Sequence, residues 1–210
     1  MNEHGLRIIS DPRWVVALPG QDVAAEVTRQ MGVVGAEDVS DGSSVQEAVV
    51  GVLQGAIDDN AWWAAALVLD EGGDAIVVRS SLEWAGASDA GSSDDSMTAD
   101  TIYDMLAEDS RDADYVTHLD LVSTRLGTAV RHQMIVPYGD GTLGDYLGFS
   151  LPYAGGVLAM RTFSTATGWI DFFAPMVDSM LLSLIPDEDR SFGDVTLVSY
   201  VAAMSDGAGE

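Results

Sequence analysis

The chain has 210 residues and a mass of 22.2 kDa, and 47% of it is hydrophobic, which is enough apolar side chain for a packed core and too much for wholesale disorder. Thirty-four acidic residues against nine basic ones give a net charge of −25. That balance excludes a general nucleic-acid binder, which needs a basic footprint on phosphates, and it excludes docking on anionic lipid.

All nine basic residues are Arg; there is no Lys and no Cys. The missing Cys removes disulfides, thiolate metal sites and a cysteine nucleophile. The N-terminal MNEHGLRIISDPRW has no basic stretch followed by an apolar run, so no secretory signal is read there and a cytoplasmic protein is expected. The most apolar stretches, 61–69 and 172–185, are too short or too broken to span a bilayer. Three causes compete for the acidity: a GC-rich genome that replaces Lys with Arg, adaptation to high salt, and an acidic face that grips a basic partner.

Taken in order, residues 13–20 (RWVVALPG) predict an opening strand stopped by Pro19-Gly20. Val23, Val27 and Met31 fall at helical spacing over 21–31, with Gly32 as the stop. A polar Gly/Asp-rich loop follows over 35–44. Ser44 with Glu47 three residues on has capping-box spacing for a helix over 45–57, whose stripe is Val45, Val49, Val52, Leu53 and Ala56. Strand-like runs at 62–69 and 76–84 flank Asp70-Glu71-Gly72-Gly73-Asp74, a hairpin signal, and Trp62-Trp63 reads as core and sheet-edge packing. A low-complexity polar stretch at 86–97 predicts a mobile loop, leading to a helix at 98–107 capped by Ser96 or Thr98.

The second half reads as a meander of strands at 115–123, 127–136, 143–151 and 156–163, separated by turn residues. Residues 169–184 then form the strongest helix: Ile170, Phe173, Val177, Met180, Leu181 and Leu184 recur at three and four, and Pro186 stops it. Pro175 inside it is expected to kink the first turns, and Ser164-Thr165-Ala166-Thr167 before it reads as N-cap chemistry. A short strand at 195–201 precedes a frayed tail at 204–210. Hairpins and a meander, without strand–helix alternation, predict one α+β domain over 1–210, with helices packed on a mostly antiparallel sheet.

Chemistry-bearing motifs are sparse. No GxxxxGK[ST] and no GxSxG occurs, and no GxGxxG opens a predicted helix, so the common phosphate-loop, dinucleotide and nucleophile-elbow enzymes are excluded. His118 and Asp120 share one face of a predicted strand, with Asp114 in the same neighbourhood and His132 on the next strand. This group is a candidate for metal ligation or for a carboxylate-oriented general base, against the plainer reading of a solvated strand edge. The register of the hairpin decides whether His118 and His132 meet. Asp94-Asp95 and the Asp140-to-Asp145 segment offer hard oxygens for calcium without EF-hand spacing; solvated loop charge explains them as well. No cofactor is implied.

The segment LGTAVRHQ at 126–133, the extended run to Leu151, VLAMRTFST at 157–165 and the apolar helix at 169–184 resemble the PsbP-like fold. More narrowly, they resemble its actinobacterial LpqN-type relatives, and the strand from Trp14 fits the start of that pattern. The resemblance implies an α/β/α sandwich around an antiparallel sheet and a role in binding or scaffolding proteins, with no shared catalytic set. The chain has no lipobox Cys, so the lipoprotein property does not carry over. The resulting expectation is a non-catalytic interaction or accessory module for a basic protein partner. The alternative is a small-molecule or metal-binding protein, or a hydrolase, built on His118 and nearby carboxylates.

Overall fold

A computed structural model describes residues 4–34, 42–71, 74–86, 97–111, 118–137 and 141–199. The element order is β1 His4–Ser10, β2 Val15–Ala17, α1 Val23–Val34, α2 Gly42–Asp58, β3 Trp63–Glu71, β4 Asp74–Gly86, α3 Ala99–Arg111, β5 His118–Thr124, β6 Gly127–Pro137, β7 Leu143–Tyr153, β8 Gly156–Ser164, α4 Ile170–Ser183, β9 Ile185–Ser191 and β10 Val195–Ser199. Seven strands form one antiparallel sheet in the order β2-β3-β4-β8-β7-β6-β5, and three form a second in the order β10-β1-β9. The fold is α+β, and the predicted meander β5-β6-β7-β8 is present with each neighbour in sequence a neighbour in the sheet.

Strand β3 explains why the large sheet carries helices on both faces. WAAALVLDE is apolar almost throughout instead of alternating, the pattern of a strand buried on both sides. Trp63, Ala65, Leu67 and Leu69 face a core shared with Leu147, Phe149, Leu158 and Met160 of the sheet and with Phe173, Val177, Met180 and Leu181 of α4. The intervening Ala64 and Ala66 face Val23, Val27 and Met31 of α1 and Val49 and Leu53 of α2, and their small side chains admit those helices. Helix α3 lies over β5, β6 and β7. Of the stripe read for α4, Phe173, Val177, Met180, Leu181 and Leu184 are buried and Ile170 is half-buried, and Leu6 and Ile8 of β1 join the same core.

An aromatic corner ties the small sheet to the large one. Phe192, between β9 and β10, meets Trp62 and Trp84 edge-on at 4.8 and 5.0 Å. Trp84 Nε1 donates to the Tyr153 carbonyl at 2.9 Å, and the Tyr153 hydroxyl donates to the His4 carbonyl at 3.1 Å. The two-residue β7–β8 turn places Ala154 at φ 48 and Gly155 at φ 78, the left-handed conformations that a tight hairpin requires.

Several expectations are corrected. The opening strand shrinks to Val15–Ala17, and β1 precedes it unread. Gly32 does not stop α1, which runs to Val34; Ser44 lies inside α2 rather than capping it. Thr98 does cap α3, its Oγ1 accepting the Thr101 N–H at 3.1 Å. The N-cap of α4 is Trp169, without a side-chain cap of its own. Its first turn is held by Asp145 of β7, whose Oδ2 accepts the N–H groups of Trp169 and Ile170 at 2.8 and 2.9 Å. The closing strand lies in the second sheet, parallel to β1, and β9 was unread. Most of the loop expected at 86–97, the strand start at 115–117, the candidate cap Ser96, Asp94-Asp95 and the tail at 204–210 lie outside the described residues. Among the described residues, no helix is long and apolar enough to cross a membrane.

Candidate functional site

The β5–β6 hairpin decides the geometry of the candidate residues. Its register sets His118 opposite Gln133, Asp120 opposite Arg131 and Leu119 opposite His132. Side chains directly opposite one another project to one face and alternate along each strand. His118, Asp120, Arg131 and Gln133 therefore share the α4 face, and His132 takes the other. His118 and His132 do not meet. Asp114 lies outside the described residues.

On the α4 face, His118 Nε2 is 2.9 Å from Asp120 Oδ2, the two side chains being 65% and 47% exposed. The carboxylate orients the imidazole, but the pair stands in water on an edge strand. One strand inward, Arg131 Nε donates to Asp178 Oδ1 of α4 at 3.3 Å, and its guanidinium lies 5.9 Å from the centre of the Phe149 ring. Among the described residues no cluster of three His, Asp or Glu side chains is placed to hold a metal ion.

The opposite face carries the more perturbed groups. His132 is only 5% exposed, its ring centre 5.2 Å from that of Tyr146 on β7. Burial, with the positive charge of Arg161 adding to it, pushes the His132 pKa down to about 4, so the ring is neutral at pH 7. Burial also pushes the Tyr146 hydroxyl up to about 12, the Arg161 cation opposing this and the Glu83 carboxylate adding to it. Gly148 lies between them: a Cβ there would overlap both the His132 ring and the Tyr146 hydroxyl. The row continues onto β8 and β4, where Arg161 Nη1 is 3.2 Å from Glu83 Oε2 and the Ser81 hydroxyl donates to Glu83 Oε1 at 2.8 Å. His132 Nδ1 is buried without a hydrogen-bond partner among the described residues.

The reading of the sequence missed Tyr146, Gly148, Arg161 and Glu83 as a group. The signal was Gly148, a glycine inside a strand pattern, which marks a close approach. Asp145, weighed for calcium, is 4% exposed and occupied by the backbone of α4.

No protein-family model and no curated protein matches the chain. Among solved structures, it is similar to a Pseudomonas aeruginosa protein of unknown function described as a candidate regulator, at 13% identity and a TM-score of 0.42, over 59% of this chain and 83% of that one. It is also similar to the cyanobacterial PsbP of Synechocystis sp. PCC 6803, at 14% identity and a TM-score of 0.35, over 61% of this chain and 88% of that one.

Proposed function

We propose that this protein is a non-catalytic interaction module whose partner is a basic protein. The observation that carries the reading is the way charge is spent. Of the nine arginines, five pair with carboxylates of the same chain among the described residues: Arg7 with Asp187, Arg13 with Asp11, Arg29 with Glu26, Arg131 with Asp178 and Arg161 with Glu83. The large surplus of carboxylates has no such cation to neutralise it. On α3, Asp100, Asp104 and Glu108 recur every four residues and are exposed, forming one stripe with no cation between them. Met105 of α3 and Leu121 of the neighbouring edge strand are 55% and 52% exposed, supplying apolar contact beside that charge. A basic partner gains association rate from such a field and loses it with salt.

The catalytic alternative has less behind it. His118 and Asp120 form an oriented pair, yet their exposure leaves water free to compete and screens the charges.

The test is capture from native lysate on the tagged chain at low salt, followed by graded salt elution. One dominant basic protein released by salt supports the reading. Asp104→Asn with Glu108→Gln must weaken that capture more than the charge-matched control Asp58→Asn with Asp59→Asn. Equal loss in both pairs leaves net charge alone and removes α3 as the docking face; salt-insensitive or exclusively acidic partners overturn the module itself.

A further inference from the structure

Arg125 stands apart from the neutralised arginines. It sits exposed in the β5–β6 turn, and among the described residues it has no carboxylate within ion-pair distance. Its side chain lines a groove of about 390 Å³ where the end of α4 meets the small sheet, together with Arg7 and the aliphatic side chains of Ile9, Leu182, Ile185 and Val198. That volume lies at the lower end of the range for small-molecule sites. Two of only nine cations in a chain of net charge −25 thus converge on one apolar cleft.

Part of the groove's polar and apolar surface is uncommitted. Arg7 reaches Asp187 only at 3.5 Å through Nη2, and its side chain is 43% exposed, which leaves its fork accessible to a second acceptor. Leu182 is 45% exposed at the rim. The Ser183 hydroxyl is already committed, accepting from the Ile9 N–H at 2.9 Å and donating to the Met180 carbonyl at 2.7 Å. The exposed Ser179 hydroxyl also lines the cleft, and charged recognition there falls to the two guanidinium groups, whose planar forks match a carboxylate.

We propose that this groove binds a small aliphatic carboxylate, the carboxylate lying between Arg125 and Arg7 and the tail on Leu182, Ile185, Ile9 and Val198. The long-range field of this chain repels anions, so the headgroup alone does not suffice. Affinity needs the tail as well as the charge, which separates this site from a general anion patch. The inference stands independently of the basic partner, since it uses none of the α3 surface.

The test is isothermal titration calorimetry of the full chain with decanoate, decanol and acetate as probes. The expected result is saturable one-to-one binding of decanoate, with decanol and acetate much weaker. Removing a charge-assisted contact by Arg125→Gln weakens decanoate by about tenfold or more, and Leu182→Asp abolishes its binding. Arg125 has no ion-pair partner to lose among the described residues, and thermal denaturation of Arg125→Gln checks that the chain remains folded. Decanol binding as tightly as decanoate, decanoate affinity unchanged in Arg125→Gln, or no saturable binding of decanoate each overturns the proposal. So does a lower melting temperature in Arg125→Gln with unchanged affinity, which assigns the arginine to offsetting the C-terminal dipole of α4.

Discussion

Replacing Asp145 is expected to unfasten α4 from the sheet. The carboxylate is 4% exposed, and one oxygen accepts two main-chain N–H groups, from Trp169 at 2.8 Å and Ile170 at 2.9 Å. These are among the first donors of a helix, which have no partner within the helix, and α4 begins without a cap of its own. In Asp145→Ala both donors lose a charged acceptor in a partly buried setting where water replaces it incompletely. A hydrogen bond to a charged group contributes about 1.5–3 kcal/mol, and because the two share one oxygen the expected loss is about 2–3 kcal/mol in total rather than twice the single value. For a domain of this size that corresponds to a melting temperature lower by roughly 4–12 °C. Asp145→Asn keeps one carbonyl acceptor and is expected to lose about half as much. Urea denaturation followed by far-ultraviolet circular dichroism and tryptophan fluorescence measures both variants. An Asp145→Ala midpoint equivalent to less than about 0.5 kcal/mol below wild type, the range of ordinary surface changes, would refute the capping role.

Other positions give equally specific outcomes. Gly148→Ala pushes a methyl group into the His132 ring and the Tyr146 hydroxyl, an overpacking cost of about 1–3 kcal/mol; an unchanged melting temperature contradicts that contact. His132 titrates near pH 4 in the fold against 6.5 outside it, so the unfolded chain takes up its proton first. The neutral ring's contribution is thus intact above pH 6.5 and is lost as the pH falls toward 4, a span of about 3 kcal/mol. His132→Gln is expected to lose that part of the pH dependence, so that its difference from wild type changes across the window, and parallel stability curves between pH 7 and 4 would argue that the ring is not buried neutral. Ala154 holds φ 48 ahead of Gly155 at φ 78, a turn that favours Asn-Gly. Ala154→Asn should therefore raise stability by about 0.5–1 kcal/mol, and a loss in chemical denaturation would speak against the left-handed turn.

The elements legible in the sequence are those whose pattern is local. The α4 stripe from Ile170 to Leu184, the β3–β4 hairpin and the four-strand meander each carry their own period and turn residues, and each is present. The elements missed depend on remote partners. IPDEDRS holds a proline and four charges, which reads as loop; it becomes a strand because it needs to pair on one side only, as the edge of the small sheet beside β1. Local sequence points to Ser164–Thr167, next to α4, for its cap, whereas the acceptor comes from Asp145 across a hairpin. Similarly, Gly32 stops no helix, since a single glycine costs a helix only about 1 kcal/mol.

The candidate site divides along the same line. That His118 and Asp120 share a face follows from strand alternation, and they make the 2.9 Å contact. Whether His132 joins them depended on register, which sets it opposite Leu119 and turns it to the other face. The groove at Arg7 and Arg125 joins residues far apart in the chain, from β1 and from the β5–β6 turn, and no local pattern reports such a meeting.

The central claim is that the acidic face of this chain is a docking surface for a basic protein. Its most direct test is the association rate of the captured partner, measured by stopped-flow from low to high ionic strength for wild type and for Asp104→Asn with Glu108→Gln. The expected result is a wild-type rate that falls steeply with added salt and a variant that starts slower and falls less. A rate independent of salt, or identical slopes for the two proteins, would contradict the claim.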